Sequence, residues 1–91
     1  MKPYHVRHIL VKYQYEAEDI QRLLEKGKSF SELAIQFSIC NSAKNGGDLG
    51  PIAEGKADPD FEEAALQLKT GEITKKPIRS RFGFHLIQKI S

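Results

Sequence analysis

Residues 4–12 read Tyr4-His5-Val6-Arg7-His8-Ile9-Leu10-Val11-Lys12, and this stretch decides the fold class. It is rich in β-branched and apolar side chains and predicts a strand. Alternation puts Val6, His8 and Leu10 on one face and Arg7, Ile9 and Val11 on the other. Both faces carry apolar residues, so the strand belongs in the middle of a sheet. His8, taken alone, reads as readily as a satisfied core histidine as a functional one. His5 is expected to be an exposed strand residue.

Helical spacing follows. Ala17, Ile20, Leu23 and Leu24 recur within residues 16–26, with Gly27 as the stop. Ser29 opens a second helix, with Glu32 three residues on as a capping box. Phe30, Leu33, Ala34 and Phe37 form its apolar stripe. Residues 40–55 change character: Asn41, Ser42, Asn45, Gly46 and Gly47 are turn formers. Asp48 to Ile52 suits a short edge strand, because Pro51 has no N–H to give a second neighbour. Asp58-Pro59 starts a third helix, with Phe61, Ala64, Ala65 and Leu68 on its apolar face and Gly71 at its end. Residues 74–90 predict two strands joined near Ser80–Gly83. The pattern is α+β, a small sheet with helices packed around it.

A chain of 91 residues fits one domain, residues 1–91, with no room for a second. Lys plus Arg is 14 and Asp plus Glu is 12, a net charge of +2, too weak and too scattered to argue for nucleic acid or an anionic membrane. The one cysteine, Cys40, forms no internal disulfide and suits a reducing compartment. The N-terminal segment has no long apolar stretch. For a complete gene product these features predict a cytoplasmic protein. Gly46, Gly47 and Gly50 precede no Lys-Ser/Thr pair, so they do not read as a phosphate loop.

Four ordered segments together resemble the parvulin family of prolyl isomerases. They are His8-Ile9-Leu10-Val11-Lys12, then Phe37-Ser38-Ile39-Cys40-Asn41-Ser42-Ala43-Lys44, then Gly47-Asp48-Leu49-Gly50 with Gly55 and Phe61, and finally Phe82-Gly83-Phe84-His85-Leu86-Ile87. The resemblance covers nearly the whole chain. It implies a four-stranded antiparallel sheet surrounded by four helices, with the site on the concave side. By position, His8 and His85 match the family's paired histidines and Cys40 its cysteine at the rim. Ser80 falls where a hydroxyl supports the pair. Leu49, Ala57, Phe61 and Phe82 fall where the pocket for the proline ring is built. Ala57 departs from the pattern, which typically has Met, a larger and more adaptable side chain.

The implied activity is peptidyl-prolyl cis/trans isomerisation of proline-containing peptides and of unfolded or folding proteins. The implied enzyme is a monomer without cofactor or metal. Rotation about a peptide bond meets a barrier of about 18–20 kcal/mol because resonance is lost in the twisted state. An isomerase need only bind that state better, each 1.36 kcal/mol of preference being about tenfold in rate. A pocket for the ring, a neutral His8–His85 relay anchored by Ser80, and Cys40 facing the carbonyl would supply this. Cys40 is assigned a polarising rather than nucleophilic role, since rotation needs no covalent adduct. The connection after Lys12 is short and not basic, which argues against a phosphate anchor. A second reading is a peptide-binding or chaperone module with little turnover. A third, thiol redox or acyl transfer through Cys40, lacks a resolving cysteine.

Overall fold

The computed structural model describes residues 3–91. Strand β1 (Tyr4–Val11) leads into helices α1 (Gln14–Glu25) and α2 (Phe30–Phe37) and a 3₁₀ helix (Asn41–Asn45). Strand β2 (Asp48–Ile52), helix α3 (Pro59–Gln67) and strands β3 (Ile78–Ser80) and β4 (Gly83–Lys89) follow. The strands form one antiparallel sheet in the order β2-β1-β4-β3. The expected α+β architecture is present, its fourth helix being a 3₁₀ piece over the residues whose composition predicts turns.

β1 is central, as its two apolar faces require, and β2 with Pro51 is an edge. Ile9 and Val11 of β1 and Leu86 of β4 pack under α1 and α2, against Ala17, Ile20, Phe30, Leu33 and Ala34. On the opposite face Tyr4, Val6 and Ile87 pack with Phe61 and Ala65 of α3. Fully burying a side chain such as Ile9 contributes roughly 1.5–3 kcal/mol. Each face is therefore held by its own cluster, and the sheet is the shared wall between them.

Helix ends follow local chemistry. Asp58 caps α3 by accepting from the backbone N–H of Asp60 at 3.0 Å, and Pro59 opens the first turn. Ser29 accepts from the Glu32 N–H at 3.3 Å. Gly27 sits at φ +94°, the left-handed conformation that ends α1.

Four expectations are corrected. α1 begins at Gln14, two residues earlier than read, because the Glu16 carboxylate reaches back to accept the Tyr13 N–H at 3.1 Å. Phe37 is 40% exposed and lies outside the α2 core stripe. α3 stops at Gln67, before Gly71. β3 is only three residues long, since Pro77 cannot donate to a ladder, and Ile73 contributes an isolated bridge to Gln88 instead.

Candidate active site

The face of the sheet that carries α3 also carries an open cavity of about 390 Å³. His8, Cys40, Leu49, Ala57, Phe61, Phe82 and His85 all line it. Residues 77 positions apart thus share one site, because β1 and β4 are neighbours and Leu10 pairs with His85.

His8 and His85 are both buried. Their Nδ1 atoms lie 3.0 Å apart, with the rings 20° from parallel. Ser80 Oγ stands 2.6 Å from His85 Nε2 and also accepts the Phe82 N–H at 3.2 Å. Phe61 meets both imidazoles edge-on, its centroid 5.6 Å from His8 and 5.0 Å from His85. Burial in this apolar surround lowers both histidines from 6.5 to about 4; the neighbouring imidazole adds to the effect on His8, while Asp58 opposes it on His85. At neutral pH the pair is uncharged, so one Nδ1 donates and the other accepts. Among the described residues His8 Nε2 has no partner. A bare lone pair there is cheaper than an orphaned N–H, which puts the His8 proton on Nδ1 and makes His85 Nε2–H the donor to Ser80.

Cys40 is half-buried at the rim, where the 3₁₀ helix begins. Ser38 holds it there: its Oγ accepts the Leu10 N–H at 3.0 Å and the Cys40 N–H at 3.4 Å. Gly47 fixes the other side of His8. Its carbonyl accepts the His8 N–H at 2.9 Å, and its φ is +85°. A Cβ on Gly47 would lie 2.4 Å from the His8 carbonyl oxygen, so only glycine fits.

Leu49 and Phe61 form apolar walls, and Phe82, 59% exposed, stands at the mouth rather than in the core. Ala57 is on the loop before α3, beside Lys56. That loop is tied down by Glu62, whose carboxylate accepts the Gly55 N–H at 2.9 and 3.0 Å and the Tyr4 hydroxyl at 3.0 Å. Burial and the Glu62 carboxylate push the Tyr4 hydroxyl pKa up, keeping it a donor.

The motif model of the rotamase PPIC-type PPIASE domain matches residues 8–91. The chain belongs to the PPIC-type peptidyl-prolyl isomerase family. As a member of that family it is a peptidyl-prolyl cis/trans isomerase domain, with the fold that the four sequence segments implied. The parvulin domain is 49% identical over 83 residues to a foldase protein PrsA from Caldanaerobacter subterraneus, covering 90% of the chain and 27% of that relative. It superposes on the crystal structure of PrsA from Bacillus subtilis with a TM-score of 0.94 at 41% identity, covering 99% of the chain and 35% of the other. The solution structure of NmPin, the parvulin of Nitrosopumilus maritimus, gives 0.86 at 39% identity, covering 100% of this domain and 98% of that chain. The parvulin domain thus spans 27% of the first PrsA foldase and 35% of the crystallised one, and 98% of NmPin.

Several residues of the site had no signature in the sequence. Glu62 is one, acting through the Gly55 N–H and the Tyr4 hydroxyl. Ser38 and Gly47 fall within the family segments, but their bonds to the Leu10 and His8 N–H groups are set only by the fold. Leu10, Ile52, Lys56, Asp58 and Arg81 also line the cavity. His5 corrects an expectation: it is half-buried, and its Nε2 lies 2.6 Å from Asp48 Oδ1. That contact and the Gly50 N–H hold the Asp48 carboxyl below its usual range.

Proposed function

We propose that residues 1–91 act as one monomeric domain that turns X-Pro bonds through His8, His85, Ser80 and Cys40, with Leu49, Ala57, Phe61 and Phe82 holding the proline ring. The observation that carries this reading is the neutral Ser80–His85–His8 chain at the floor of an apolar cavity. In the twisted state the ring nitrogen regains its lone pair and the carbonyl loses resonance. A dry floor of fixed, uncharged donors and acceptors suits that state better than the planar one. Cys40 sits at the rim, where its sulfur would face the rotating carbonyl and polarise it. A binding module without turnover is less favoured, given the family to which the chain belongs.

Phosphate-independent action is part of the proposal. β1 ends at Val11 and α1 begins at Gln14, so only Lys12 and Tyr13 connect them. Two residues leave no loop to carry a basic cluster. Proline-containing segments of folding proteins are the proposed substrates. A cytoplasmic setting is proposed on the lone Cys40 thiol; recovery of the protein outside the cytoplasm would contradict it.

Exchange NMR on an X-Pro peptide tests the activity. Added protein is expected to speed cis/trans exchange, and Leu49→Ala or His85→Ala to reduce the gain by more than about tenfold, each 1.36 kcal/mol being one decade. Binding without faster exchange would favour the module instead. Cys40→Asp is expected to keep measurable activity. Abolished activity, together with a trapped thiol adduct in the wild type, would make the cysteine a nucleophile.

A further inference from the structure

The cavity that holds the histidine pair is apolar at its floor and charged at its mouth. Lys56 and Arg81 both line it. Among the described residues neither has a carboxylate within 4.0 Å; the carboxylates that do meet a basic side chain are Asp48, beside His5, and Asp19, beside Arg22. Asp58 is the single carboxylate in the lining. Its Oδ1 accepts the Asp60 N–H at 3.0 Å, so the N-terminal end of α3 offsets part of its charge and the lining keeps two cations against one carboxylate. Arg81 is placed as well as uncompensated: its Cζ lies 5.1 Å from the centre of the Phe82 ring, at the exposed rim. A guanidinium on a ring face keeps its full charge and its N–H donors. The two imidazoles are neutral and do not compete. The whole chain carries only +2, so this positive mouth is local and not a share of a general excess.

We propose that Lys56 and Arg81 make the pocket select proline segments that carry a carboxylate side chain beside the proline. The inference rests on the isomerase reading above and adds its substrate class. A peptide whose ring enters between Leu49 and Phe61 brings its neighbouring side chains to the mouth. There a Glu or Asp meets two unpaired cations next to an apolar wall, where charge pairs are less screened than on an open surface. A Lys or Arg at the same place meets repulsion. A phosphate carries more negative charge, about −1.5 to −2 near pH 7, but a lysine and an arginine on separate loops are not a fork built for its three oxygens.

The test compares kcat/KM by exchange NMR, at low ionic strength, on peptides that differ only in Glu, Gln or Lys beside the proline, with a phosphoserine peptide as a fourth. Glu is expected to exceed Lys by about fivefold or more, about 1 kcal/mol, with Gln between them. The ratio is expected to shrink in high salt. It should fall to near one in the double variant Lys56→Gln, Arg81→Gln and invert in Arg81→Glu. Phosphoserine should gain no more than Glu. Equal rates for Glu and Lys overturn the inference and leave the isomerase reading intact. A preference that survives the double variant also overturns it, as does a phosphoserine peptide favoured far above Glu. No acceleration of any peptide overturns the isomerase reading itself, and this inference with it.

Discussion

His8 and His85 make the fold sensitive to mild acid. In the unfolded chain both imidazoles protonate near 6.5, whereas burial in the fold holds them to about 4. Between those values the unfolded state binds more protons, so stability drops as pH falls through that window and levels below it. The denaturant midpoint is expected to be lower at pH 5 than at pH 7.5, and a flat midpoint would mean that the pair is not buried and neutral in solution. Imidazole nitrogen shifts add a finer check, with His8 protonated on Nδ1 at neutral pH. At Ala57 the expectation concerns substrate: Ala57→Met should narrow the cavity and lower KM several-fold, by roughly 0.8 kcal/mol per methylene buried against the ring. The sites of His8, Cys40, Leu49, Phe61 and His85 were legible because side chain and motif position coincide. The roles of Ser38 and Glu62 were not, since the Leu10 N–H and the Tyr4 hydroxyl that they accept from lie far off in the chain and leave no local pattern. His5 was misjudged for the same reason: its partner Asp48 comes to it only when β2 pairs with β1.

Among the elements, α3 has the greatest leverage on the site, because it carries Phe61 and follows directly on the Ala57 loop. Asp58→Ala removes its cap and is expected to cost about 0.5–2 kcal/mol, read as a lower denaturant midpoint. It should also reduce kcat/KM, since Asp58 starts the turn that delivers Phe61. An unchanged midpoint would mean that Pro59 alone starts the helix. Gly47→Ala should be more severe than Asp58→Ala, because the new Cβ meets the His8 carbonyl and the backbone is held at φ +85°. Most elements were readable in the sequence, for local reasons: Ser29, Asp58-Pro59 and Gly27 mark helix ends by themselves. The 3₁₀ helix was not, as Asn41 and Ser42 equally suit a turn. Nor was the true start of α1, which depends on the Glu16 carboxylate turning back on Tyr13.

For the molecule as a whole, two apolar clusters on opposite faces of one thin sheet set the stability. Ile9→Ala, on the face away from the cavity, should cost about 2–5 kcal/mol with its main effect on folding rather than on the site. Periodicity announced that β1 is central, but the order β2-β1-β4-β3 needs pairings between distant segments that no local pattern encodes. The sheet's most telling connection is between its extremes: the His5 N–H meets the Ser91 carbonyl at 3.1 Å, and the His5 carbonyl accepts the Ile90 N–H at 2.8 Å. The first and last turns of chain are clasped side by side, and the histidine pair spans the same seam. During synthesis, then, no catalytic floor exists until the final strand has emerged and found the first. Cut anywhere between them, the two fragments would each hold one imidazole of the pair and neither a site, so restored turnover on mixing would be a direct readout of their reunion.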